Sequence, residues 1–168
     1  MAERQTELHV QIARDVFGWQ WREDWQAWCP PGWPSHTGRG YWSGQRHQEQ
    51  MLALRQHGGK PYGRTGALDD RGRPVIPSYQ YDPAATEILW DWLYAQPGIQ
   101  RVQFVPLPLP PESLQGVRRW RCEIVAEPDR VATGEGDSHK EALCYAVLAL
   151  AHAQQAPQTR WPTGPAYL

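Results

Sequence analysis

The stretch VRRWRCEIVAEPDRVATGEGDSHKEALCYAVLALAHAQQ, residues 117–155, decides the fold. In its first ten residues Trp120, Cys122, Ile124 and Ala126 alternate with Arg119, Arg121 and Glu123, which predicts a strand with one dry and one wet face. VATGEG (131–136) predicts a weaker strand after a turn. Ser138 and Glu141 then form a capping box, in which a hydroxyl and a carboxylate satisfy the free amides of a helix start. The helix it opens runs to about Gln155, with Leu143, Val147 and Leu150 on one face and several alanines that permit close approach to a sheet.

Working outward, RVQFV (101–105) predicts another strand, joined to the first by the proline-rich PLPLPPESLQG (106–116). Asp82 can cap a helix that has Pro83 in its first position, where no amide is missed; Ala85, Ile88, Leu89 and Trp92 give its apolar face, and Pro97 and Gly98 stop it. Residues 5–17 predict a helix from Leu8, Ile12 and Val16, stopped by Gly18. Residues 19–28 are ambiguous: Trp19 and Trp21 have strand spacing, whereas Trp21, Trp25 and Trp28 have helical spacing. From 29 to 78 the chain is rich in Gly and Pro and mostly loop. A short helix over Gln45 to Gln56 and a turn at DDRGR (69–73) interrupt it. The expectation is one α+β domain over residues 1–155, a small antiparallel sheet of three to four strands packed with about three helices. It carries a long Gly/Pro/Trp-rich insert (20–76) and an irregular tail (156–168).

Composition bounds the function. The chain has 168 residues, 17 Lys plus Arg against 18 Asp plus Glu, and a formal charge of -1. That balance argues against a coat for extended nucleic acid or a polybasic membrane binder. No apolar run approaches the roughly 20 residues of a membrane span, and the amino terminus lacks a secretory signal. The expected setting is the cytoplasm. Cys29, Cys122 and Cys144 are widely spaced and form no CxxC pair, so neither a disulfide framework nor a zinc site is signalled; the last two fit core thiols.

Two biases are informative. There are ten Trp against two Phe, and fifteen Arg against two Lys. Trp offers a flat face for a base, and Arg offers a planar fork for phosphate. Six of the ten Trp fall between residues 19 and 42. Trp19 and Trp25 suit a role as core staples, while Trp21, Trp28, Trp33 and Trp42 have less obvious core partners. The ligand-binding candidates are therefore Trp21, Arg22 and Trp28, then Arg39, Tyr41 and Trp42 of GRGYW, and Arg118, Arg119 and Arg121 beside one strand. Each set also admits a plain structural reading, as core filler or solvated surface. The six His do not cluster: His36 and His47 flank the Gly-rich stretch, His57 precedes a glycine pair, and His139 is expected to use its amide rather than its ring. No nucleophile elbow, P-loop or dinucleotide fingerprint is present. No catalytic residue, metal or cofactor is assigned.

IARDVFGW (12–19), PSYQYDPAATEILWDWL (77–93) and CEIVAEPDRVATGEGDSHKEALCYAVLALA (122–151) together resemble the phage ABA-sandwich family of small phage and prophage proteins. The resemblance leaves 20–76 unmatched, and Tyr81, Asp82 and Pro83 stand where the family usually has a Ser-Thr-Asp type cap. It implies an α+β sandwich. By analogy with small phage proteins that sequester cyclic nucleotide signals, it also implies a non-enzymatic sponge for an immune signalling molecule in the host bacterial cytoplasm. The expected partners are a small anionic or nucleotide-like ligand and further copies of the chain in a homo-oligomer. A module that directly inhibits a host defence protein is the alternative, and a nucleotide phosphodiesterase a second one.

Overall fold

The computed structural model describes residues 2–36, 44–59, 68–109, 111 and 118–155, with side chains from residue 8 onward. The elements, in chain order, are α1 (Ala2–Asp15), β1 (Gln20–Arg22), β2 (Ala27–Cys29), α2 (Gly44–Gln56), α3 (Pro83–Ala95), β3 (Ile99–Pro106), β4 (Trp120–Ala126), β5 (Arg130–Gly136) and α4 (His139–Gln155). The fold is α+β as expected, with the three expected helices and, in the insert, the expected short helix as α2. The Arg39, Tyr41 and Trp42 candidates and the tail 156–168 lie outside the described residues. No helix among the described residues is long and apolar enough to cross a membrane.

The main sheet is antiparallel in the order β3-β4-β5, and β1 and β2 pair separately as a hairpin. The main register sets Val102 opposite Ile124 and Ile124 opposite Ala132, with Phe104, Cys122 and Gly134 aligned in the next row. Cys122, Ile124, Ala126, Ala132, Gly134 and Gly136 are buried, so the alternation in the sequence does produce a dry face. The wet face is tied by cross-strand pairs: Arg121 to Glu135 at 2.8 Å and Gln103 to Glu123 at 2.6 Å.

Helix α4 lies on the dry face. Its buried side chains include Ala142, Leu143, Ala146, Val147 and Leu150. Two glycines set how close it comes: a Cβ on Gly134 would collide with the backbone of Ala142 and Ala146, and one on Gly136 would stand 2.8 Å from the Ala142 nitrogen. The capping box forms at its start, with Ser138 Oγ accepting from the Glu141 amide at 3.1 Å and Glu141 Oε2 accepting from the Asp137 amide at 2.7 Å. At its other end His152 Nε2 stands 2.7 Å from Asp15 Oδ2, and Gln155 donates to the Asp15 carbonyl, which joins α4 to the end of α1.

Residues 19–28 resolve as strands rather than helix, because the chain turns at Glu23 to Gln26 with Gln26 in the left-handed region at φ 47°. Trp19 and Trp25 are buried as expected of staples. Trp33 departs from expectation: at 4% exposure it is core, packed edge-on against Trp25 at 5.7 Å. DDRGR makes the expected turn. Asp69 Oδ1 accepts the amides of Arg71 and Arg73, and the Arg73 guanidinium pairs with Asp69 Oδ2 at 2.6 Å, closing a bridge between Leu68 and Pro74. Asp82 caps α3 through the Ala84 amide, with Pro83 at the first turn.

Candidate ligand-binding groove

The described candidates from the sequence fall into two groups in separate sheets. Trp21 and Trp28 face each other across the hairpin, with ring centroids 6.1 Å apart at 74°; the Trp21 indole N–H donates to Glu23, and 47% of the residue is exposed. The fork of Arg22 is engaged inside the hairpin. It holds Asp24 at 2.6 Å and donates to the Trp33 carbonyl at 2.6 Å. Beside it, a cavity of about 250 Å³ is walled by Gln20, Cys29, Pro30 and Trp33. Burial pushes the Cys29 thiol up to about 12, so it stays protonated.

In the second group, Arg121 is held by Glu135 and Arg119 by Asp137 at 3.3 Å, both pairs open to solvent, where such contacts contribute little. Arg118 stands 5.9 Å from the ring of Trp120. His139 also departs from expectation. Its ring is in use, 4.0 Å from Trp120 and 4.8 Å from Phe104.

A larger opening lies elsewhere, where the ends of α1 and α2 meet the middle of α3. This groove of about 390 Å³ is lined by Val16 and Phe17, by Arg55, Gln56 and His57, and by Ile88, Asp91 and Trp92. Its volume falls within the roughly 300–1,000 Å³ of small-molecule sites. Each wall has a local cause. Ile88, Asp91 and Trp92 share a helix face by their three- and four-residue spacing. Phe17 is fixed by stacking on buried Tyr79, with centroids 5.4 Å apart and planes at 15°.

The end of α2 is pinned at His57. Its backbone carbonyl accepts from the indole of Trp19 at 3.2 Å and from the hydroxyl of Tyr79 at 3.4 Å. The chain leaves at once through Gly58, with φ at +90°, where a Cβ would meet Tyr79 Cε1 at 2.9 Å. Burial lowers the pKa of the His57 ring from its ordinary 6.5, and the Phe17 carbonyl opposes that only in part. A neutral imidazole carries one N–H and one lone pair, so it can both donate and accept.

The polar groups at the rim are uncommitted. Arg55 and Asp91 are exposed, and neither has an ion-pair or side-chain hydrogen-bond partner among the described residues. The groove thus offers a half-buried Trp92 ring, a cation able to take a phosphate or carboxylate in a bidentate fork, and a carboxylate able to accept from amine or hydroxyl groups. None of these residues is among the candidates expected from the sequence, where His57 stands out only as the residue before a glycine pair. The signal for the groove is Arg55-Gln56-His57 at a helix end, read together with Asp91 and Trp92. No family model, curated protein or solved structure matches the chain.

Proposed function

We propose that this chain is a binding protein that sequesters a small nucleotide-derived anion, in line with its resemblance to small phage proteins, and that the groove between α1, α2 and α3 is its site. A planar base lies against Trp92, phosphate oxygens meet Arg55, and Asp91 accepts from ribose hydroxyls or an exocyclic amine. The observation that carries this reading is the presence on one groove, beside an aromatic wall, of Arg55 and Asp91, neither of which has an ion-pair partner among the described residues. Stacking supplies about 1–3 kcal/mol per base, and a charge-assisted fork adds direction and strength. The role is storage rather than turnover, in the cytoplasm of the phage host, where the captured molecule is an immune signal.

Calorimetric titration of the full chain against cyclic dinucleotides, cyclic oligonucleotides and ADP-ribose derivatives tests it. Saturable binding to one of them, lost in Arg55→Ala, with the ligand recovered chemically intact after denaturation, is the expected result. No heat with any of these compounds sinks the reading, and a cleaved ligand replaces it with the phosphodiesterase alternative.

A further inference from the structure

None of the described residues lining the groove belongs to α4, yet the last turn of α4 reaches two of its walls. On one side, Gln155 Nε2 donates to the Asp15 carbonyl at 2.8 Å and His152 Nε2 stands 2.7 Å from Asp15 Oδ2, directly before the wall residues Val16 and Phe17. On the other, Gln154 Nε2 donates to Gln96 Oε1 at 3.2 Å. Gln96 Nε2 in turn donates at 2.9 Å to the carbonyl of Trp92, itself a wall residue. Neighbouring side chains of one helix turn thus hold two walls that come from distant parts of the sequence.

Packing explains why this turn matters. Helices α1 and α3 each pack on α4, and among the described residues they hardly touch one another. The approach to α3 is tied to the exit of α1 by the stack of Phe17 on Tyr79, but the far end of α3, beyond Trp92, meets α1 through α4. A groove between two elements seated on a common third takes its width from where the third holds them. A ligand that needs one width therefore binds best when the turn is seated, and by linkage keeps it seated. His152, Gln154 and Gln155 are exposed, and Ala suits a helix, so trimming them leaves the packed face of α4 intact.

We propose that the last turn of α4 is the spacer of the groove: His152, Gln154 and Gln155 are positioning residues that set the distance between its α1 and α3 walls, and groove occupancy and seating of the turn favour each other. The coupling rests on the groove being the ligand site; the spacing does not. Pulsed dipolar electron spin resonance on the full chain measures the spacing without ligand, with spin labels on Gln11→Cys in α1 and Glu87→Cys in α3, the native thiols being buried. One narrow distance is expected. Adding His152→Ala, Gln154→Ala and Gln155→Ala together should shift or broaden it, with unchanged far-UV circular dichroism. Gln154→Ala alone, which frees only the α3 side, should give a smaller change and serves if the triple variant loses structure. An unchanged distance overturns the proposal, whatever the groove binds. With the cyclic dinucleotide, cyclic oligonucleotide or ADP-ribose derivative that wild type binds, the triple variant is expected to bind about tenfold more weakly. Deuterium uptake over residues 150–155 should slow on binding in wild type and not in Arg55→Ala. Altered spacing with wild-type affinity also overturns the proposal. If wild type binds none of these compounds, the groove reading fails, and the spin-label distance alone decides whether the turn is a spacer.

Discussion

The indole N–H of Trp19 donates to the backbone carbonyl of His57 across 38 residues of sequence, at 3.2 Å. This one contact joins the exit of α1 to the end of α2, the two walls on which Phe17 and His57 face the groove. Trp19→Phe keeps most of the buried ring and deletes the donor. The expected cost is about 1–2 kcal/mol in urea unfolding, since the carbonyl retains Tyr79 but loses one partner. Ligand affinity should fall with it, because the walls lose one of their ties, the others running through Tyr79.

Side chains at the rim should separate binding from stability. Arg55 is exposed and has no ion-pair partner among the described residues, so Arg55→Ala is expected to change unfolding free energy by no more than about 0.5 kcal/mol while weakening nucleotide binding by about tenfold or more. Trp92→Ala should cost binding about 1–3 kcal/mol. Parallel titration calorimetry and thermal melts check both, and equal losses in the two measurements would assign these residues to packing instead.

Acid should weaken the molecule in two stages. Burial lowers the pKa of His9 and of His57 below the ordinary 6.5, so the unfolded chain binds more protons there and stability falls as pH drops below about 6.5. Asp15 is held at about 2 from an ordinary 3.8, first by its bond from Arg14 and, against the opposing effect of burial, by His152. Its contribution is full above 3.8 and is lost as pH falls from there towards 2. Urea midpoints measured from pH 8 to pH 2 should show both declines, and Asp15→Asn should flatten the second, which the half-exposed partners limit to about 1–2 kcal/mol.

Gly134 should tolerate no side chain. Its Cβ would enter the backbone of α4 at Ala142 and Ala146, which cannot swing aside as a long side chain could. Gly134→Ala is expected to cost about 3 kcal/mol or more. Thr133→Ala, one position away on the exposed face of the same strand, should cost clearly less in the same unfolding measurement.

Local rules made the frame legible. The capping box at Ser138, the Asp82-Pro83 start of α3 and the alternation from Trp120 to Ala126 each act within a few residues, and each is present as expected. Residues 19–28 satisfied two periodicities at once, and only the turn at Gln26 decides between them. Trp33 and His139 were misplaced because their partners, Trp25 on one side and Phe104 and Trp120 on the other, depend on how segments meet. The groove was the least legible feature. Its residues come from three segments ending near 17, 57 and 92, and no spacing rule links an arginine at a helix end to a carboxylate more than thirty residues later.

The three cysteines leave the folded chain indifferent to oxidants and alkylating reagents. All are buried, and burial pushes the thiols of Cys122 and Cys144, like that of Cys29, up to about 12, so hardly any thiolate exists at neutral pH. A cysteine introduced on the surface would then be the reactive one, and a single dye could be placed there without first removing the native three.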